Sequence, residues 1–307
     1  MKKKIIVIGG TGFIGFNLIK KIPKKNFEIT SISRKLPLKG KRIKKVRYIK
    51  CDVSKYNELK KLKEDNFDYI INLGGNIDHK NKTQTEKVHY AGCKNLIKFF
   101  YNKKKKLFIQ IGSSLEYGSL KSPHLESKKS TSRSIYGNAK LKATNYIKKF
   151  TKKNNLNFLV LRLYQVYGPH QKFDRLIPFV IKNSLNNKRF SCTDGKQYRD
   201  FLFIDDLVNL FMIIFKKKNI NSGVYNVGSG KPEKIKKIIK VITKFTKKGN
   251  PQFGKLKMRK DEIKKSYPSI NKIIKEFKWK PIVNINSGLM KTIRFYTGLN
   301  TSNYTYK

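Results

Sequence analysis

The chain has 307 residues, 38% of them hydrophobic, which is enough for one large domain or two unequal ones around a sizeable core. No apolar run approaches the ~20 residues of a membrane helix. The lysines and short apolar stretch that open the chain fall short of a secretory leader and read as a first β-strand. The formal net charge of +52 raises nucleic acid or an anionic membrane as a partner. Lysine, however, is spread along the whole chain, Asn, Ile, Phe and Tyr are abundant, and only Ala91, Ala139 and Ala143 represent alanine. That is the signature of A/T-rich codons, so no specific nucleic-acid partner is expected, although the diffuse positive field still attracts anionic nucleotides.

In chain order, strands are expected at 5–8, 29–33, 47–49, 69–73, 107–111 and 158–163, with helices at 13–22, 55–63, 86–101 and 134–153. Alternating βα units with buried strands imply an α/β fold, a doubly wound parallel sheet of Rossmann type. After about residue 170 the pattern loosens. Helices are expected at 173–187, 205–218, 233–247 and 286–297, with one strand at 224–227. The expected division is a dinucleotide-binding region over 1–170 and a smaller, mainly helical substrate region over 171–307 that returns segments to the sheet. Cys51, Cys93 and Cys192 show no CxxC spacing, and His79, His89, His124 and His170 are scattered. Neither a disulfide framework nor a metal site is indicated, and a reducing cytoplasm fits best.

"IIVIGGTGFIG" reads as a strand, a glycine turn and a helix start. Gly9, Gly12 and Gly15 let the turn close, let backbone approach a pyrophosphate, and let helix pack on strand, while N–H groups of the helix start face the phosphates. This predicts a bound dinucleotide. An acidic residue ending the second strand would hold the ribose hydroxyls of NAD, whereas an arginine accommodates the 2′-phosphate of NADP. The sequence there is "ITSISRK", with Ser33, Arg34 and Lys35 and no acid, so NADP is the expected cofactor, with NAD possible. Asp52, in "CDVSKY", is placed either to receive the adenine amino group or to cap the end of the third strand.

"SIYGNAKLKAT" puts Tyr136 and Lys140 four residues apart, on one face of a helix. A phenol ionises near pH ~10 and is a poor base at neutrality. A neighbouring ammonium and a positive nicotinamide ring stabilise the phenolate and make it useful. Tyr136 then exchanges a proton with a substrate hydroxyl, and Lys140 also reaches the nicotinamide ribose. Ala139 and Ala143 on the same helix permit close approach of a cofactor or a partner helix.

With these segments in order, the sequence resembles the extended short-chain dehydrogenase/reductase family, in its nucleotide-sugar epimerase/dehydratase group. The resemblance covers nearly the whole chain and adds "INLGGNID", "GSSLEYG", "LRLYQVYGPHQ", "RDFLFIDDLV", "VYNVGSGK" and "FKWKPIVNINSGLMKTI". It implies a cofactor held by Gly9, Thr11, Gly12, Phe13, Ile14, Gly15, Ser33, Arg34, Asp52, Val53, Leu73, Gly74, Tyr136 and Lys140. It implies Ser113 as the hydroxyl that works with Tyr136 and Lys140, and Ser114, Gln165 and Arg199 as substrate-binding residues, Arg199 on the nucleotide phosphates. It also implies a homodimer through the helices flanking the sheet, including the Tyr136 helix. Three positions depart from the pattern: Gln165 and His89 where Asn is common, and Ser269 where Asp is frequent.

The resemblance also bears on the reaction. Dehydratases of the group place acid/base residues just after the Ser/Thr position, and here those positions hold Ser114 and Leu115. Leucine cannot move a proton. Glu116 is one residue on, and alternation along an extended segment turns it to the other face. The expected chemistry is therefore hydride movement at a sugar carbon, C4 by preference, by an epimerase or a keto-sugar reductase. A 4,6-dehydratase and a non-catalytic RNA-binding member of the fold are the alternatives. Arg199 could instead pair with Asp200. Asp205 and Asp206 are expected to begin and cap a helix, Trp279 to anchor packing, and Asn226 and the 228–230 turn to be structural.

Overall fold

In the computed structural model, residues 1–62, 66–75, 81–101, 107–132, 134–259 and 262–298 are described. Six strands lead the chain: β1 (Lys3–Ile8), β2 (Phe27–Ser33), β3 (Val46–Lys50), β4 (Tyr69–Asn72), β5 (Leu107–Ser113) and β6 (Phe158–Leu163). Every residue of β5 and β6 is buried, as expected of strands covered on both faces. The sheet is finished by a strand from much later in the chain, Gly223–Val227, β10 below. The seven strands run in the order β10-β6-β5-β4-β1-β2-β3, and all neighbouring pairs are parallel.

Alternation along the strands divides the core in two. Ile5, Val7, Ile109, Leu159 and Leu161 face one layer, which includes Leu18 and Ile19. Ile6, Ile8, Phe108, Phe158 and Val160 face the other, with Leu96, Ile97, Ala143 and Ile147. Helix α1 (Phe13–Lys21) thus covers the first face. Helices α3 (Gly92–Phe100) and α4 (Ile135–Asn154), preceded by the short α2 (Lys82–Glu86), cover the second. The segment expected as one helix over 86–101 is continuous with α2 but passes through a π-turn at Lys87–Ala91. The segment expected as a helix over 55–63 forms a 3₁₀ helix, Tyr56–Leu62, which buries Leu59 and Leu62; residue 63 lies outside the described residues. Ala139 and Ala143 are fully buried, Ala143 in the second core layer.

Beyond β6 the helices are α5 (Leu176–Leu185), α6 (Ile204–Lys216), α7 (Ile235–Thr246), α8 (Asn271–Phe277) and α9 (Ile285–Thr297). Short strands not expected from sequence join them: β7 (Gln165–Tyr167), β8 (Arg189–Ser191), β9 (Tyr198–Phe203), β11 (Pro232–Lys234), β12 (Asn250–Gln252) and β13 (Lys265–Ser266), with β10 (Gly223–Val227) returning to the main sheet. They form a small sheet in which β9 is flanked by β11, β13 and β7, and a separate β8–β12 pair. Except for the six-residue β9, these are pieces of two or three residues, too short to show a readable period.

Asp206 does not cap α6, whose N-cap is Phe203. Its carboxylate is buried and accepts the N–H groups of Ile282 and Val283, each at 3.1 Å. Its backbone carbonyl accepts from Trp279 Nε1, also at 3.1 Å, so Trp279 is the packing anchor expected. Asn226 is structural too: it accepts from the Tyr117 hydroxyl at 2.7 Å and donates to the His124 carbonyl at 2.9 Å. All three cysteines are free and buried. Among the described residues, no helix is long and apolar enough to cross a membrane.

Candidate active site

β1 ends in a turn that only glycine fits. Gly9 has φ +75°, and a Cβ there would lie 3.0 Å from the Leu73 carbonyl oxygen. Gly15 sits so close beneath the turn that a Cβ would fall 2.5 Å from the Gly9 oxygen. The Gly12 N–H closes the turn onto the Gly9 carbonyl at 3.0 Å. Gly12 is also the N-cap of α1, where no side chain caps the helix and the first turn holds no acid. The first N–H groups of α1 are thus left for an anion. A Cβ-free cradle at an uncapped helix start fits a dinucleotide pyrophosphate.

Beside it, Ser33 Oγ donates to the Lys35 carbonyl at 2.7 Å, and Arg34 is exposed. Asp52 forms a local turn, accepting from the N–H and hydroxyl of Ser54 at 3.0 and 2.7 Å. Burial pushes its carboxyl up, but the Ser54 hydrogen bonds and the charge of Arg34 outweigh this and hold it below the usual range. Val53 is held from behind by Asn95, which donates to its carbonyl at 3.0 Å. At the end of β4, Leu73 N–H donates to the Ile8 carbonyl and Gly74 N–H to Asn72 Oδ1. Residues 76–78 of the segment quoted above lie outside the described residues.

β5 ends at Ser113, and the next four residues, Ser114–Tyr117, form a 3₁₀ turn. The segment is therefore not extended, and alternation is not what turns Glu116 away. A capping box does so: Ser113 Oγ accepts the Leu115 N–H at 3.2 Å, and the Glu116 carboxylate accepts the Ser113 N–H at 2.8 Å. Glu116 is wholly buried. Helix α4 begins at the Ser134 cap and presents Tyr136 and Lys140 on one face. Lys140 is buried; its Nζ donates to the Ile111 carbonyl at 2.8 Å and stands 5.7 Å from the Tyr136 ring centroid. Gly137, between them, leaves room for the Leu115 carbonyl, 2.3 Å from where a Cβ would be.

These elements surround a cleft of about 430 Å³. Gly9, Gly12, Phe13, Ile14, Gly15, Leu73 and Gly74 line it on the cradle side, and Ser113, Ser114, Leu115, Tyr136, Lys140 and Gln165 on the other. Thr11, Ser33, Arg34, Asp52 and Val53 lie outside this lining. So does Arg199: its guanidinium donates to the carbonyls of Tyr198 and Ile263, each at 2.7 Å, and pairs with Glu262. Asp200 is not its partner; buried within β9, it accepts from the Ser229 N–H and hydroxyl.

The cleft also includes His89, noted from sequence only as a departure from the family pattern, and residues not singled out there, among them Tyr164, Lys172 and Arg175. The His89 ring meets the Tyr136 ring edge-on, 4.9 Å between centroids. Lys172 and Arg175 put positive charge at the start of α5. In a chain with 71 lysines and arginines, no local signal distinguished these two.

A family model for the NAD dependent epimerase/dehydratase family matches residues 5–228. The chain belongs to that family. CDP-abequose synthase of Salmonella muenchen is 35% identical over 139 residues, and this match spans 44% of the chain and 47% of that protein. CDP-abequose synthase of Salmonella typhimurium is 25% identical over 308 residues, 96% of this chain and 98% of that protein. Among solved structures, UDP-glucuronic acid 4-epimerase of Bacillus cereus, in complex with UDP-glucuronic acid and NAD, superposes with a TM-score of 0.87. It is 24% identical, and the match covers 96% of this chain and 99% of that one. This family membership accords with the parallel sheet and the glycine turn.

Proposed function

We propose that the protein is a nucleotide-sugar oxidoreductase or epimerase that moves a hydride at a sugar carbon, C4 by preference, using NADP or NAD. The observation that carries the reading is one cleft lined by the glycine cradle, by Ser113, Tyr136 and Lys140, and by an inert Leu115. The cofactor would lie along Gly9, Gly12, Phe13, Ile14 and Gly15, pass Leu73 and Gly74, and reach Tyr136 and Lys140. Arg34 beside the adenosine end favours NADP; Thr11, Ser33, Asp52 and Val53 complete that end. When bound, the nicotinamide supplies or accepts the hydride.

The protein's own residues handle the proton. Oxidising a secondary alcohol to a ketone releases a hydride from carbon and a proton from oxygen. Tyr136 takes that proton, or returns it in the reverse direction. Ser113 hydrogen-bonds the same oxygen, which fixes it and stabilises developing charge. Lys140, held on the Ile111 carbonyl, keeps its ammonium beside the Tyr136 ring. Gln165 and Ser114 contact the sugar. Arg199, outside the cleft lining and paired with Glu262, would meet a nucleotide phosphate in competition with that carboxylate.

Leu115 argues against dehydration, because no group at that position can give or take a proton. The 1–170 and 171–307 division, a homodimer through the helices flanking the sheet, α4 among them, and a cytoplasmic setting that keeps the buried thiols reduced complete the reading.

The test is incubation with UDP-, CDP-, GDP- and dTDP-linked hexoses and 4-keto-hexoses, with NADP(H) and NAD(H). Consumption of reduced cofactor with a keto-sugar identifies a reductase. Isomer interconversion without net cofactor turnover identifies an epimerase. Loss of water from a hexose without isomer formation sinks the proposal.

A further inference from the structure

The Glu116 carboxylate joins three elements at one point beneath the cleft. Its Oε1 accepts the Ser113 N–H at 2.8 Å. Its Oε2 accepts from Thr144 Oγ1 at 2.8 Å and from Arg162 Nε at 2.9 Å. Ser113 ends β5, Thr144 lies on α4 and Arg162 on β6. All three partners are buried, Ser113 at 9%, Thr144 at 1% and Arg162 at 4% exposure, and Glu116 itself is at 0%. The backbone makes room for the carboxylate, since a Cβ on Gly112 would lie 2.6 Å from Oε1.

Thr144 lies four residues after Lys140, which lies four after Tyr136, so the three share one face of α4. Glu116 therefore bonds directly both to the Ser113 backbone and to the helix face that carries Tyr136 and Lys140. The Ser113 Oγ accepts the Leu115 N–H. Its own hydrogen is left free to rotate toward an acceptor in the cleft.

We infer that Glu116 is a positioning residue, a strut that sets Ser113 against the Tyr136–Lys140 helix and orients the serine as a donor to the reacting oxygen. This rests on the proposed role of Ser113. A buried ion pair is poor evidence for stability alone, because apolar residues of similar volume often serve as well. The geometric link is what ions and hydrogen bonds supply here and apolar groups cannot.

The experiment replaces both charges together, Glu116→Leu with Arg162→Met, which avoids stranding a buried guanidinium. Thr144→Val is the milder variant, removing one bond to the same carboxylate. Turnover is measured on CDP- and UDP-4-keto-hexoses with NADPH, and exchange of the Ser113 amide hydrogen is followed by NMR. The double variant keeps a cooperative melt near that of the parent, but its kcat falls roughly 10- to 100-fold, with KM changed much less. Adding Ser113→Ala to it costs little more, whereas Ser113→Ala in the parent costs the full amount. Ser113 amide exchange speeds up in both Glu116 and Thr144 variants. A parental kcat in the double variant, fully multiplicative effects with Ser113→Ala, or unchanged amide exchange overturns the strut. If Ser113→Ala leaves the parent's kcat intact, the role of Ser113 fails instead, and amide exchange still decides whether the strut exists.

Discussion

Lys140 Nζ donates to the Ile111 carbonyl at 2.8 Å and stands 5.7 Å from the Tyr136 ring centroid. The ammonium is thus pinned to the end of β5 while its charge remains near the phenol. Tyr136→Phe is expected to lower kcat by orders of magnitude and to leave cofactor affinity nearly unchanged. Lys140→Met is expected to lower kcat and also weaken the cofactor. Steady-state rates and cofactor titration check both, and an active Tyr136→Phe enzyme removes the proton relay.

Gly15→Ala places a methyl 2.5 Å from the Gly9 carbonyl oxygen and 2.6 Å from Gly10 Cα, both backbone atoms that cannot rotate away. The turn must open, and the cradle loses its shape. The expected result is loss of the melting-temperature increase that NADP or NAD gives the parent. A variant stabilised by cofactor as strongly as the parent would show that the turn is not the phosphate site.

Arg34 is exposed beside Asp52 at the end of β2, and its charge helps hold the Asp52 carboxyl low. An arginine–phosphate bond contributes about 1.5–3 kcal/mol, roughly 10- to 100-fold in affinity. Arg34→Ala should weaken NADP by about that factor and NAD far less. Calorimetric titration of both cofactors decides it; equal losses for the two would assign Arg34 no role at a 2′-phosphate.

His170 is packed between the rings of Phe16 and Phe295, with centroids at 4.6 and 4.4 Å. Burial, and then the nearby charge of Lys20, push its imidazole down to about 4. The folded chain refuses a proton that the unfolded chain accepts near the ordinary value of 6.5. Between those values the unfolded state binds more protons, so this residue's contribution to stability is present above about pH 6.5 and is lost as pH falls toward 4. His170→Asn tolerates the left-handed backbone (φ +69°) and removes the titration. Its melting temperature should decline less steeply than the parent's across that window, as read by thermal melts at stepped pH.

The main sheet was legible because its strands are continuous apolar runs between turn signals. The placement of Tyr136 and Lys140 was legible because helical spacing alone puts them on one face. Glu116 was not fully legible. Its turn away from the cleft follows from a capping box and from Arg162, 46 residues later. The role of Arg199 was less legible still, since its partner Glu262 lies 63 residues away. Lys172 and Arg175 were hidden by the surrounding excess of lysine. Asp206 looked like a cap because it begins a helix, yet its carboxylate serves backbone more than 70 residues downstream.

β10 has a consequence for the order in which the protein can be completed. It pairs with β6 through five residues, from Gly223↔Leu159 to Val227↔Leu163. A nascent chain that has emerged only as far as residue 170 lacks β10, so a sheet formed from it would hold at most six strands, with β6 as a bare edge, the kind of edge other chains can pair with. The residues of the cradle and of the Tyr136 helix have emerged by then, but the strand that covers the flank of β6, where Arg162 sits, is complete only once residue 227 has left the ribosome. Synthesis past that point, not past β6, marks when the sheet can close.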